Sequence, residues 1–132
     1  MEIFGPNDLP VAFAAAGAEI RSTEAGPMTV TFYRLSAGTD GRPLLQGLPG
    51  HSCHCPHWGY VISGKLRIHT AGGPHDVLAG QAFHVEPGHA PEALEDTEMF
   101  EVSPIPESRE LSAYLQKLAA PAQEGVQQGR RD

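Results

Sequence analysis

Alternating apolar and polar residues recur through the middle of the chain and predict short β-strands. The clearest runs are Met28 to Leu35, Lys65 to His69 and Met99 to Val102, which are rich in β-branched and aromatic residues or alternate strictly. Shorter candidates are Ala18 to Ser22, Leu44 to Leu48, Tyr60 to Ile62, His75 to Leu78, Ala82 to Glu86 and Pro91 to Leu94. Because Gly and Pro separate these short runs closely, the pattern predicts an all-β sandwich or barrel rather than alternating β–α units.

Two local features refine this prediction. Ser63-Gly64 stands between two apolar runs and predicts a tight hairpin turn. The Ala-rich stretch Val11 to Ala16 is too short to separate a nascent helical turn from an edge strand, and both remain open.

The pattern changes to a helical period after the last predicted strand. Leu111, Tyr114, Leu115 and Leu118 stand at i, i+3, i+4 and i+7, which predicts an amphipathic helix. The chain then divides as follows: residues 1–17 an N-terminal lead-in, 18–106 the β-barrel, 107–120 the C-terminal helix, and 121–132 a tail with too little apolar surface to order itself.

Length and charge narrow the function classes. At 132 residues the chain fits one domain, and its net charge of -7 disfavours nucleic acid and anionic membrane surfaces as partners. No apolar run approaches the roughly 20 residues of a membrane helix. The N-terminus also lacks the basic region and apolar core of a signal peptide, so we expect a cytoplasmic protein.

The chemistry is concentrated between His51 and His57. This stretch holds both cysteines and three of the seven histidines of the chain. Thiolates and imidazoles are the donors that zinc and other borderline divalent metals prefer. If the chain is extended here, Cys53, Cys55 and His57 share one face, and we expect all three to bind a metal ion.

A disulfide is the competing use of the two cysteines. Cys53 and Cys55 stand at i and i+2, and closing such a small ring would strain the backbone. Pro56 interrupts regular strand pairing, so a bulge or strand edge is expected beside the cluster.

The remaining histidines are expected to differ in role. His89 follows a Pro-Gly turn that would aim it into the barrel mouth, where it would be a fourth ligand. We expect His84 to line the pocket without binding metal, and His69 and His75 to lie on the surface. Trp58 and Tyr60 fall on the face opposite His57 and are expected to pack under a neighbouring sheet or subunit.

The order of these features resembles the cupin superfamily over roughly residues 28 to 103. Gly64 matches the closing Gly of the first cupin motif, His57 stands where the family has Glu, and Cys53 and His51 occupy the preceding ligand region. Gly80 and the Pro87-Gly88 turn match the second motif, although His89 comes early and Pro91 takes the expected His position. The chain is similar to small single-domain cupins with a Cys/His-substituted metal motif.

The resemblance implies a cupin-like antiparallel β-barrel, or double-stranded β-helix jelly roll, followed by the C-terminal helix. It also implies a bound divalent metal, and the thiolate and imidazole donors favour zinc, with iron, nickel or copper as alternatives. Whether a further group completes the site is open, and the candidates are His51, Glu86, Glu92 and Glu101.

Three functions are compatible with this pattern. The first is a metal-dependent enzyme acting on a small molecule. In it Cys53, His57 and His89 bind the metal ion and leave one coordination position open to water or substrate. The second is a non-catalytic zinc or ligand-binding module, or a sensor, in which Cys55 closes the site. The third is a barrel without metal that binds an organic ligand or only dimerises. A homodimer is expected in all three cases, and the substrate and reaction are left open.

Overall fold

The computed structural model describes the backbone of residues 1–131 and the side chains of residues 1–118. Within that range the chain forms nine β-strands, two short 3-10 turns and one helix. The strands are β1 (Val11–Ala15), β2 (Ala18–Ala25), β3 (Met28–Leu35), β4 (His57–Ser63), β5 (Lys65–Thr70), β6 (Gly73–Leu78), β7 (Ala82–Val85), β8 (His89–Ala93) and β9 (Thr97–Pro104). The 3-10 turns are Pro43–Leu45 and Pro49–His51, and the helix is α1 (Ile105–Arg131).

The strands form two antiparallel sheets that share one core. The larger sheet has the order β1-β2-β3-β9-β4-β7 and the smaller one β6-β5-β8. Residues of both sheets meet in a single buried apolar cluster: Phe13, Ala18, Leu35, Val61, Leu66, Ile68, Val77, Val85, Ala93 and Met99. The predicted all-β antiparallel architecture with a C-terminal helix is confirmed.

The alternation along β9 shows why the sequence folds this way. Every second residue of this strand is buried, beginning at Thr97 and continuing through Met99, Glu101 and Ser103. Such a period-two pattern buries one face of a strand between its sheet and the core. Two polar residues, Glu101 and Ser103, therefore point into the protein beside an apolar core.

Two predictions are wrong, one of a strand and one of a hairpin. The segment Leu44 to Leu48 is not a strand, because Pro43 starts one 3-10 turn and Leu48 lies at the start of a second, where its carbonyl accepts a hydrogen bond from the amide of His51. The predicted hairpin at Ser63-Gly64 does not form either, because β4 pairs with β7 and β9 whereas β5 pairs with β6 and β8. Gly64 instead carries the chain from one sheet to the other.

The ends of the chain differ from the predicted boundaries. Residues 11–15, inside the predicted lead-in, form β1 and pair with β2 at the edge of the larger sheet. This decides the open choice for that stretch in favour of an edge strand. The helix begins at Ile105 rather than at residue 107. The helix continues to Arg131, past its predicted end at residue 120, and so includes residues 121–131 of the segment that was expected to be a disordered tail; Asp132 lies outside the described residues.

Helix α1 packs against the larger sheet and the loop after β3. Leu115 packs on the shared core, and Leu111 and Tyr114 pack on a second buried cluster that contains Leu45 and Cys53. The amide of Gly47 donates to the Tyr114 hydroxyl, which in turn donates to the carbonyl of Leu44. In the described part of the chain, no helix is long and apolar enough to span a membrane.

Candidate metal centre

Cys53 is held beside His89 by the backbone. The Cys53 amide donates to the carbonyl of His89 and the Gly88 amide donates to the carbonyl of Cys53, each at 2.8 Å. This isolated pair of hydrogen bonds joins the loop before β4 to the start of β8. These two hydrogen bonds fix the backbone of Cys53 next to that of His89.

His57 reaches the same place from the first position of β4. The strand begins only at His57, so the expected extended run from Cys53 onward is wrong, and the chain bends at Cys55 instead. The bend nevertheless brings Cys53 Sγ to within 3.7 Å of His57 Nε2. The donor atoms of Cys53, His57 and His89 all lie within 4.8 Å of one another, and all three residues are buried. Three of the four predicted ligands thus converge.

The outward-facing nitrogens of both imidazoles are already engaged. His89 Nδ1 donates to the carbonyl of Glu86 at 2.7 Å, and His57 Nδ1 lies 2.7 Å from Ser103 Oγ. An imidazole whose Nδ1 carries the proton presents the lone pair of Nε2 to an ion. Such partners orient metal-binding histidines and hold them in one tautomer. The surroundings of both rings therefore fit a metal ion on the side of Cys53.

A buried carboxylate lies next to His57. Glu101 Oε2 is 3.3 Å from His57 Nδ1, yet among the described residues this oxygen has no hydrogen-bond partner. Burial raises the pKa of Glu101 to about 7, while the neighbouring Tyr33 hydroxyl acts in the opposite direction. An orphaned buried carboxylate is costly unless positive charge lies nearby. A cation held by the three donors would supply that charge.

Burial also controls the protonation of the donors. It raises the pKa of the Cys53 thiol to about 12 and lowers the pKa of His57 to about 4. Without a metal ion the thiol is therefore protonated and the imidazole neutral at neutral pH. The Cys55 amide points at Cys53 Sγ across 3.5 Å, which favours a thiolate at this sulfur.

Cys55 does not join the group of three donors. Its side chain is buried, and its thiol donates to the carbonyl of Pro56 at 3.6 Å. Both cysteines are free thiols, so the disulfide alternative does not apply. The strand alternation that placed Cys55 beside Cys53 and His57 fails because the chain is bent here. The backbone amide of Cys55, rather than its thiol, faces Cys53 Sγ.

The other candidate ligands lie elsewhere. His51 and His54 are exposed and bind backbone carbonyls of their own loop through one ring nitrogen each. Glu92 pairs with His69 at 2.9 Å, and Glu86 is exposed. Of the groups that were left open, only Glu101 lies at the centre, and it faces the Nδ1 side of His57.

Aromatic residues on the outer face behave differently from the expectation. His84 is exposed and stacks on Trp58 with a ring-centroid separation of 4.9 Å, so the prediction that His84 lines the pocket is wrong. Trp58, Tyr60 and Ile62 are 43%, 44% and 42% exposed, which means that no neighbouring sheet covers them in the described chain.

A cavity of about 90 Å³ opens beside the three donors. Side chains from both sheets and from α1 form its wall. A metal ion held by Cys53, His57 and His89 would therefore lie on the wall of this cavity.

Sequence reasoning missed Ser103 and left Glu101 as one of several carboxylates. The signal was present in the alternation of Thr97, Met99, Glu101 and Ser103, which places the last two on the inward face. It could not be used without knowing that β9 pairs with β4, which sets Glu101 opposite Gly59 and close to His57.

Solved structures resemble this chain in fold, whereas the sequence comparisons find no match. The chain matches no protein-family model and no curated protein. It is similar in structure to KdgF from Halomonas sp., with 21% identity and a TM-score of 0.60 over 79% of this chain and 94% of that one. It is also similar to an RmlC-like cupin from Shewanella frigidimarina, with 15% identity and a TM-score of 0.59 over 77% of this chain and 87% of that one.

A longer protein has a similar fold over part of its length. The oxalate decarboxylase of Lactobacillus farciminis, crystallised as a formate complex, shares 19% identity and a TM-score of 0.58. The match covers 76% of this chain but only 32% of that one, so the chain spans about a third of the decarboxylase. At these identities the likeness establishes the fold alone, and that fold is the cupin jelly roll expected from the sequence.

Proposed function

We propose that this cupin fold holds one divalent metal ion on Cys53, His57 and His89 and uses it to act on a small molecule. One observation carries the proposal: three buried donor atoms lie within 4.8 Å of one another on the wall of a cavity. Both imidazoles have their Nδ1 atoms engaged elsewhere, which leaves Nε2 free for the ion. Two imidazoles and one thiolate favour zinc over iron, nickel and copper.

The residues around the proposed ion would have different roles. The bound ion would act as a Lewis acid or lower the pKa of a bound water. Cys53, His57 and His89 hold it, and the Cys55 amide supports the thiolate. Ser103 and Glu101 hold the His57 ring from behind, and the apolar wall excludes bulk water from the ligand.

The comparisons support a metal without identifying it. The oxalate decarboxylase of Bacillus subtilis, 20% identical to this chain with a TM-score of 0.59, has Mn(II) centres. That match covers 28% of the decarboxylase chain. Manganese prefers oxygen-rich sites, whereas this chain offers a thiolate and two imidazoles, so we propose zinc here.

The alternative is a closed zinc site that serves structure or sensing. It requires Cys55 as a fourth ligand, and its thiol lies outside the group of three donors. A shift of the loop around Cys55 would be needed to close the site. The geometry therefore favours three protein ligands and one open position.

Elemental analysis tests the proposal directly. Protein purified without added metal or chelator is expected to carry about one zinc per chain, and Cys53→Ala, His57→Ala and His89→Ala are expected to lose it. Cys55→Ala should keep the metal, because the amide of residue 55 remains. His69→Ala, which removes a half-buried imidazole paired with Glu92, is the matched control.

Three outcomes are informative. A parent protein that takes up no divalent metal under reducing conditions would refute the proposal. Metal loss in Cys55→Ala to the same extent as in Cys53→Ala would establish the closed site instead. A bound ion other than zinc would support a metal site on these residues and show that the metal is not zinc.

Compartment and assembly complete the proposal. A cytoplasmic, reducing environment would keep Cys53 and Cys55 as the thiols that the centre needs. A homodimer would cover the aromatic outer face of β4, where Trp58, Tyr60 and Ile62 are exposed.

A further inference from the structure

The cavity beside the three donors is apolar over most of its wall. The larger sheet contributes Phe13, Ile20, Leu35 and Met99, and the smaller sheet contributes Leu66 and Ile68. The loop after β3 and helix α1 close it with further leucines, Leu44, Leu45, Leu111 and Leu115. Gly59 has no side chain at the point where a Cβ would collide with the Phe83 ring, so that ring can pack into the wall.

The polar groups of the cavity are neighbours of one another. Glu101 lies 3.3 Å from His57, and Tyr33 is beside Glu101. Cys53 and His89 complete this polar patch, and Thr39 is the remaining hydroxyl among the lining residues. A ligand can therefore satisfy polar groups of its own mainly at the proposed metal centre.

Positive charge is missing from the wall. Among the described residues that line the cavity, none is lysine or arginine. Arg42 follows the lining residue Gly41, but its guanidinium is bound to Asp40 at 2.8 Å and lies 3.6 Å from Glu92. Arg109, in the adjoining cavity that shares His57, is bound to both carboxylate oxygens of Glu24.

These observations set the class of ligand. An anionic group that enters an apolar cavity loses its hydration, and this loss costs several kcal/mol unless a cation or several donors replace the water. We infer that the cavity takes a mainly apolar small molecule whose single polar group points at Cys53, His57 and His89, and that the wall by itself favours a neutral ligand over an anion. The inference deepens the proposed function and rests on it for the position of that polar group.

Matched ligands test the inference. Benzyl alcohol and benzoate have the same ring and differ chiefly in charge, and their binding is measured by protein-detected NMR titration on zinc-free and zinc-loaded protein. Benzyl alcohol is expected to bind roughly tenfold or more tightly than benzoate to the zinc-free protein, whereas a bound zinc ion can accept the carboxylate and should reduce this preference. Shifted resonances should include Phe83 and Leu66, which line the cavity.

A charge placed on the wall provides the second arm. Leu44→Arg puts a cation at a half-buried lining position and is expected to reduce or reverse the preference by strengthening benzoate binding. Leu78→Arg is the control, because Leu78 is 47% exposed and is not among the lining residues. This arm remains informative if the parent binds both ligands weakly, since the change in preference is read against the control.

The outcomes separate the two proposals. Equal binding of the two ligands to the zinc-free protein, tighter binding of benzoate to that form, or no binding of benzyl alcohol at millimolar concentration would overturn the inference. Preference for benzyl alcohol in a protein that takes up no metal would support the apolar cavity and refute the proposed metal function.

Discussion

Ser103 Oγ lies 2.7 Å from Nδ1 of His57, across the ladder that joins β9 to β4. The hydroxyl holds the ring so that Nε2 faces Cys53 Sγ. Partners of this kind are worth about 10–100-fold in metal affinity when they are removed. The orientation of one imidazole thus depends on a residue 46 positions away in the sequence.

The first prediction concerns this contact. Ser103→Ala is expected to weaken zinc binding about 10–100-fold without changing its stoichiometry, because the ring loses the partner that orients it. Competition against a chromophoric chelator measures the change. Ser63→Ala, on the exposed end of β4, should leave the affinity unchanged. Equal affinities of Ser103→Ala and the parent would mean that Ser103 does not position His57.

The second prediction is the pH dependence of zinc uptake. Since burial raises the pKa of Cys53 to about 12, zinc must displace a proton from the thiol at every pH below that value. The pKa of His57 is lowered to about 4, so this ring adds no proton between pH 5 and pH 8. The apparent affinity is therefore expected to rise about tenfold per pH unit above about pH 7 and more steeply below it, where the Glu101 carboxyl is protonated in the absence of the ion.

Calorimetry in buffers of different ionisation enthalpy measures the protons released. Between one and two protons per zinc are expected at pH 7, one from the Cys53 thiol and a fraction from the Glu101 carboxyl. Zinc uptake with no proton release would show that Cys53 is not a ligand or is already a thiolate in the metal-free protein.

The third prediction concerns the crossing between the sheets. Gly64 has φ +89, and a Cβ there would collide with the carbonyl oxygen of Asp96. Gly38 has a similar φ of +86 with nothing within 4 Å. Gly64→Ala should therefore lower the free energy of unfolding by roughly 1–3 kcal/mol more than Gly38→Ala, since only the former adds a clash to the backbone strain. Urea unfolding of both variants measures the difference, and equal losses would contradict it.

The fourth prediction concerns assembly. Trp58, Tyr60 and Ile62 alternate along β4 and expose their side chains on the outer face of the larger sheet. Beside them on β9, Phe100 packs on Phe32 of β3 with a centroid distance of 5.2 Å, which extends the apolar surface. We expect a homodimer through this face, because such patches are seldom left in water.

Sedimentation velocity distinguishes the alternatives. Ile62→Lys should convert the dimer to a monomer, while Leu78→Lys, at a similarly exposed position of the smaller sheet, should not. A monomeric parent protein at micromolar concentration would refute the expected dimer.

Local pattern was sufficient for most of the secondary structure and for the choice of chemistry. Period-two alternation and closely spaced Gly and Pro specify short strands, because they report on faces and turns within a few residues. The donors are also a local feature, since Cys53 and His57 stand four residues apart. The apolar segment Leu44 to Leu48 was misread because Pro43 and the following turns outweigh its strand-like composition.

Long-range pairing decided the rest. No local pattern indicates that β4 and β5 separate into different sheets, or that the bend at Cys55 removes one sulfur from the donors while the Cys53–His89 bridge brings in an imidazole from β8. Glu101 and Ser103 reach His57 only because β9 lies beside β4. The residue types that can bind a metal are written in a short stretch of sequence, but their distances are set by packing between segments that are far apart in the chain.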